Sequence, residues 1–161
     1  MSNIKRLVKT SNNKVEQFLR SHVLFNDTNQ DDIKEILSIH SDCVYNGSLY
    51  RSFVFSKDNF TDFNNEEEIR NNIQITNQYN SCSNSINSVR DFANSISSDT
   101  QNPLVVIIEF QGTGLDINLL INKCYMYNII DDDLYDALLI NMSENEIVSI
   151  VPNDYNIIET Y

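Results

Sequence analysis

The chain has 161 residues, 41% of them hydrophobic and 21% charged, with 11 Lys and Arg against 23 Asp and Glu for a net charge of −12. That length suits one domain with its own core, and the composition is too apolar for a disordered chain. The shortage of cations excludes a backbone-driven nucleic-acid binder and a protein held on anionic lipid, since both depend on Lys and Arg.

The first forty residues predict helices, because Val15, Phe18 and Leu19, then Ile33, Ile36 and Leu37, recur at helical spacing. Asn29-Gln30-Asp31-Asp32 marks a helix start, where the helix dipole favours acids. After a break at Ser41 to Gly47, Ser48 to Phe55 alternates as a strand. Leu49, Arg51, Phe53 and Phe55 fall on one face, which is the face expected to be buried. The polar stretch Asn64 to Asn80 begins as a helix at Glu66-Glu67-Glu68, and Ser88 to Ser95 fits a short helix with Val89, Phe92 and Ala93. Pro103 opens and Gln111-Gly112-Thr113-Gly114 closes a buried strand over Leu104 to Phe110. Ile117 to Tyr127 reads as a helix with Leu119, Leu120 and Cys124 inward, and Asp131-Asp132-Asp133 as a turn or helix start. Asn145 to Val151 and Tyr155 to Ile158 read as two strands joined at Pro152-Asn153-Asp154. The order points to an α+β fold in one domain over 1–161, mainly helical to residue 45 and β-rich from 46.

Charge is unevenly placed. Residues 1–20 carry Lys5, Arg6, Lys9, Lys14 and Arg20 against Glu16, an excess of +4. From Asp91 to Tyr161, Lys123 alone faces twelve acids, a local −11 that complements a basic partner or simply serves solubility. No apolar stretch follows the basic start, and the longest apolar run, Leu104 to Ile108, is far short of a membrane span. A cytoplasmic protein is therefore expected, with no membrane and no direct nucleic-acid partner. Cys43, Cys82 and Cys124 suggest neither a disulfide framework nor a zinc site, and no metal is expected. His40 and Cys43 could share a helix face, but two ligands alone read as a core contact.

Three short patterns could carry chemistry. Arg51 alternates with apolar residues, and a buried arginine needs a salt-bridge partner or a bound anion. Its planar fork suits a phosphate or a carboxylate. Ser81-Cys82-Ser83 would place two hydroxyls on one face of an extended segment. Glu144-Asn145-Glu146 would place two carboxylates on one face at a strand start, where each disfavours ionisation of the other.

Taken in order, Leu49-Tyr50-Arg51, Ser81-Cys82-Ser83, Phe92-Ala93, the strand from Val105 into Gly112, Gly114, Asp116 and Ile117, and Glu144-Asn145-Glu146 make a specific pattern. This pattern resembles the Arg–Ser–Glu class of mono-ADP-ribosyltransferases, in particular small bacteriophage or bacterial toxin-type members. The resemblance covers the chain from about Ser41 onward, with Val151-Pro152-Asn153-Asp154-Tyr155 similar to the end of the family's last hairpin. Two positions depart from the family pattern. Cys82 stands where Thr is usual, and Ser52 follows the arginine where Gly is common.

The resemblance implies N-terminal helices followed by a split mixed β-sheet core with a cleft for NAD, the co-substrate. It implies that Glu146 is the catalytic glutamate beside the ribose and that Glu144 orients or deprotonates an arginine acceptor. Arg51 would clamp the dinucleotide phosphates, Ser81 would bond the ribose or steady Glu146, and Ser83 would support the strand. Phe92, or a nearby Tyr, would stack on nicotinamide. The implied activity is transfer of ADP-ribose from NAD to a protein side chain of a basic host protein, arginine by the resemblance at Glu144, with release of nicotinamide. An NAD glycohydrolase and a non-catalytic acidic inhibitor of a basic host factor are the alternatives.

Overall fold

The computed structural model describes residues 14–161, so Lys5, Arg6 and Lys9 of the basic head lie outside the described residues. In chain order the elements are α1 (14–19, running into a π-helical turn, Arg20–Leu24), α2 (Gln30–Ile39), β1 (Val44–Ser56), α3 (Glu66–Asn72), β2 (Tyr79–Ser83), α4 (Ile86–Ser97), β3 (Pro103–Asp116), α5 (Ile117–Met126), α6 (Asp132–Asn141), β4 (Glu146–Ile150) and β5 (Asn156–Thr160). The fold is α+β. No described helix is long and apolar enough to cross a membrane.

Capping side chains start five of the helices. A helix leaves its first N–H groups without partners, and Asn, Ser or Asp just before it accepts from them. Asn29 accepts from the amides of Asp31 and Asp32, Asn65 from Glu68, Ser85 from Ser88, Asp116 from Leu119 and Asp131 from Leu134. The Asp131-Asp132-Asp133 run is thus the start of a full ten-residue helix, α6. In α3 the Glu68 carboxylate also accepts from the amides of Thr61 and Asp62, at 2.6 and 2.9 Å, tying the preceding loop to the helix.

Two compact units make up the chain, one from Met1–Tyr45 with Gly114–Val148, the other from Asn46–Thr113 with Ser149–Tyr161. The helical part is therefore not the N-terminal segment alone, because the chain returns to it after β3. In this first unit α5 packs with α6, and α6 packs against the π-helical turn. Phe18, Leu19, Ile33, Ile36, Ile117, Leu120, Ile121 and Leu138 are its fully buried side chains of largest volume on the helices. Leu119, expected inward, is about half exposed at 49%, because Leu120 and Cys124 take the buried stripe of α5.

The sheet draws most of its residues from the second unit, while Glu146–Val148 of β4 count with the first. Its strands run in the order β1-β2-β4-β3-β5, and β1 also pairs with β3, so four strands close into a small barrel with β5 on the far side of β3. The sheet is antiparallel where a mixed sheet was expected: Tyr50 of β1 faces Ser83 of β2, and Val106 to Glu109 of β3 face Thr160 to Asn156 of β5. Val89 and Ala93 of α4 pack on Val105 and Ile107 of β3, with Tyr50 and Val54 of β1 against the same cluster. Phe92, one position off this stripe, is left outside.

The strand β3 does not stop at its glycines. It continues through Gly112 and Gly114 to Asp116, which both ends the strand and caps α5. A Cβ at Gly112 would lie 2.9 Å from Phe110 Cε2 and 3.1 Å from Leu49 Cδ1, and both of those side chains are buried. Overfilling such a site forces its neighbours off their rotamers. Gly112→Ala is therefore expected to destabilise the fold by about 1–3 kcal/mol, read as a fall in the urea midpoint.

Candidate active site

Glu146 is the first residue of β4. It follows Asn145, whose φ of 61° is left-handed backbone that breaks the extended run. The carboxylates of Glu144 and Glu146 therefore do not share one face of a strand, as their spacing suggested. Glu144 is exposed on the turn and Glu146 is buried at 8% exposure. Alternation fails here because it holds only while every residue is extended.

A buried carboxylate is costly unless a donor reaches it. One partner of Glu146 is His22, whose Nε2 lies 2.8 Å from Oε1. His22 sits in the π-helical turn, itself buried, stacked on Phe18 at 5.4 Å with an 11° interplanar angle. Its other ring nitrogen, Nδ1, lies 2.7 Å from Thr28 Oγ1. An ionised carboxylate only accepts, so the imidazole carries its proton on Nε2 and donates it to Glu146. A neutral ring then accepts from the Thr28 hydroxyl at Nδ1. A doubly protonated ring donates to that same hydroxyl oxygen instead, so the chain of bonds survives either state.

Sequence reasoning missed His22. The available signal was a histidine at the next position of the stripe Val15, Phe18, Leu19, where an apolar residue would complete the face. A polar residue on a helix's buried stripe needs a partner, and π-helical turns recur at functional sites.

In the other unit the structure brings Arg51 and Ser81 together. Arg51 Nη1 donates to the Ser81 carbonyl at 2.5 Å, and the guanidinium lies over the Phe53 ring at 5.5 Å. Leu49 alone is buried on that face of β1, while Arg51 is half-buried. Arg51 is therefore neither enclosed in an apolar face nor salt-bridged. Lys14, Arg20, Arg70, Arg90 and Lys123 pair with Glu35, Glu16, Glu66, Glu159 and Asp42, but among the described residues Arg51 has no carboxylate partner. Two of its contacts are a neutral carbonyl and a neutral ring.

The serines do not act alike. Ser81 is exposed, whereas Ser83 is buried and its Oγ accepts from the Ser85 amide at 3.0 Å, shaping the turn into α4. Cys82 lies inward at 5% exposure. Phe92 is 58% exposed on α4.

His40 and Cys43 are both buried, and among the described residues neither ring nitrogen of His40 has a hydrogen-bond partner. Burial, with the Lys123 charge, holds His40 below its ordinary 6.5 against the opposite pull of Asp42. Burial likewise pushes the Cys43 thiol up to about 11 and the Cys124 thiol up to about 12, so both stay as unreactive thiols at neutral pH. Among the described residues no group of three His, Cys, Asp or Glu side chains is placed to hold a metal ion.

Compared with family models, curated proteins and solved structures, the chain finds no significant match in any of the three.

The lowered His40 pKa fixes the sign of a pH effect. The folded state takes up this proton less readily than the unfolded chain, so its contribution to stability is intact above the unfolded value of 6.5 and is lost as the pH falls below it. The melting temperature is expected to drop between about pH 7.5 and about pH 5.5, and His40→Leu to flatten that part of the profile. Parallel wild-type and variant profiles check this.

Proposed function

We propose that the protein is an NAD-dependent mono-ADP-ribosyltransferase that modifies an arginine side chain of a basic protein. The observation that carries the reading is Glu146 itself. The carboxylate singled out by the order of sequence motifs is buried at the start of a strand and held by a buried histidine. Surface glutamates at strand ends are seldom fixed in that way.

The chemistry suits these groups. Cleaving the nicotinamide–ribose bond develops positive charge on the ribose, as glycoside cleavage does, and a fixed carboxylate stabilises that charge most when water is excluded. Glu146 takes this role and bonds the ribose hydroxyl. Arg51, whose charge no carboxylate neutralises, binds the pyrophosphate of NAD through its planar fork. Ser81 contributes its exposed hydroxyl to the same ligand. Ser83 acts on the backbone, and Phe92, exposed on α4, offers its ring to nicotinamide.

Glu144, exposed on the turn before β4, meets the acceptor. A guanidinium must lose a proton to attack the ribose carbon, and a solvent-facing carboxylate orients it and takes that proton. Acidity elsewhere favours the same acceptor: a surface hollow on the helical unit is lined by Glu16, Asp131 and Asp132 with Tyr125 and Met126. Such a surface attracts a basic partner and raises its rate of encounter.

Wild-type protein is expected to release nicotinamide from NAD, and Glu146→Gln to lower that rate by about 100-fold or more with an unchanged melting temperature. Absence of nicotinamide release above the variant's level, across a range of lysates as acceptor source, contradicts the reading. Glu144→Gln should reduce transfer to protein more than hydrolysis of NAD; equal loss of both would remove Glu144 from acceptor handling.

A further inference from the structure

We infer that His22 is a positioning residue for Glu146, so that the N-terminal helix is part of the catalytic apparatus. The inference rests on the ADP-ribosyltransferase reading and adds to it a residue 124 positions away from the glutamate it serves.

The geometry makes His22 more than a core filler. A core histidine needs its two nitrogens satisfied, and any polar neighbours would do. Here both go to side chains, one of them the carboxylate on which the chemistry depends. The ring is held on three sides: Phe18 against its face, Thr28 at Nδ1 and Glu146 at Nε2. A local change of helix geometry sets this placement, since the imidazole lies in the π-helical turn Arg20–Leu24 and not in the regular helix before it. The loop that follows, with Asn26 in left-handed backbone at φ 54°, brings Thr28 back within reach of the same ring.

The consequence is directional. A carboxylate that serves an oxocarbenium-like centre must present its charge in a fixed direction, and a displacement of about 1 Å can cost roughly 100-fold in rate. The Nε2 contact at 2.8 Å fixes Oε1 in place. Thr28 fixes the imidazole in turn, through an oxygen able to donate or accept. His22 touches no substrate in this scheme; it acts through Glu146.

Two substitutions separate this role from simple packing. Glutamine places its amide nitrogen near the position of Nε2, whereas asparagine places its amide near Nδ1, so His22→Gln keeps a donor for Glu146 and His22→Asn keeps only the Thr28 contact. His22→Asn is expected to lower kcat for nicotinamide release by about 10- to 100-fold with KM for NAD within about twofold, and His22→Gln to recover most of the loss. Nitrogen chemical shifts of the imidazole should report a proton on Nε2 in wild-type protein, and Glu146→Gln should perturb that signal. Equal kcat in both variants and wild type would overturn the positioning role, as would equal losses in both at matched melting temperatures. Wild-type protein that leaves NAD intact overturns the enzyme reading and this inference with it, whereas active wild-type protein with an unimpaired His22→Asn variant overturns the inference alone.

Discussion

Burial of the Glu146 carboxylate is the constraint on which the packing of His22 and the start of β4 depends. A carboxylate at 8% exposure needs a polar partner within reach, and removing the partner of a buried pair costs about 3–5 kcal/mol in comparable cases. The required donor, His22, comes from the helix at the start of the described chain, while Glu146 opens a strand near its end. The helix must therefore hold its register against β4, and the π-helical turn and Thr28 both serve that end. The same contact that makes the burial tolerable fixes the direction in which the carboxylate points.

Arg51 is the counterpart in the other unit. Most described cations in this acidic chain are matched to a carboxylate, which is the expected outcome when acids outnumber bases two to one. Arg51 instead rests on an aromatic face and a carbonyl, contacts that orient a guanidinium without neutralising it. An arginine held in that way keeps its affinity for an anionic ligand. Among the described residues, Arg51 is thus a cation without a carboxylate partner.

Local chemistry made much of the fold readable in the sequence. The helix starts at Asn29 and Glu66, the strand from Leu104 and the inward positions of Val89 and Ala93 follow from capping, proline placement and apolar spacing, all short-range effects. The errors arose where one backbone angle or one distant contact decides. Left-handed Asn145 put Glu144 and Glu146 in different environments, although their spacing alone implied one face. β3 ran on past two glycines because its ladder partners and the Asp116 cap outweighed the weak strand propensity of Gly. His22 was invisible as a site residue because nothing within its own segment names Glu146. Tertiary pairing across most of the chain is not encoded in local periodicity.

The central claim, that this chain moves ADP-ribose from NAD onto arginine, is tested most directly by identifying the product. Protein incubated with labelled NAD, bacterial lysate and arginine-rich peptides should yield ADP-ribosylated arginine detectable by fragment mass spectrometry. The same incubation with Glu146→Gln should yield none. Label that appears on neither protein nor peptide, or that appears equally with the variant, would contradict the account.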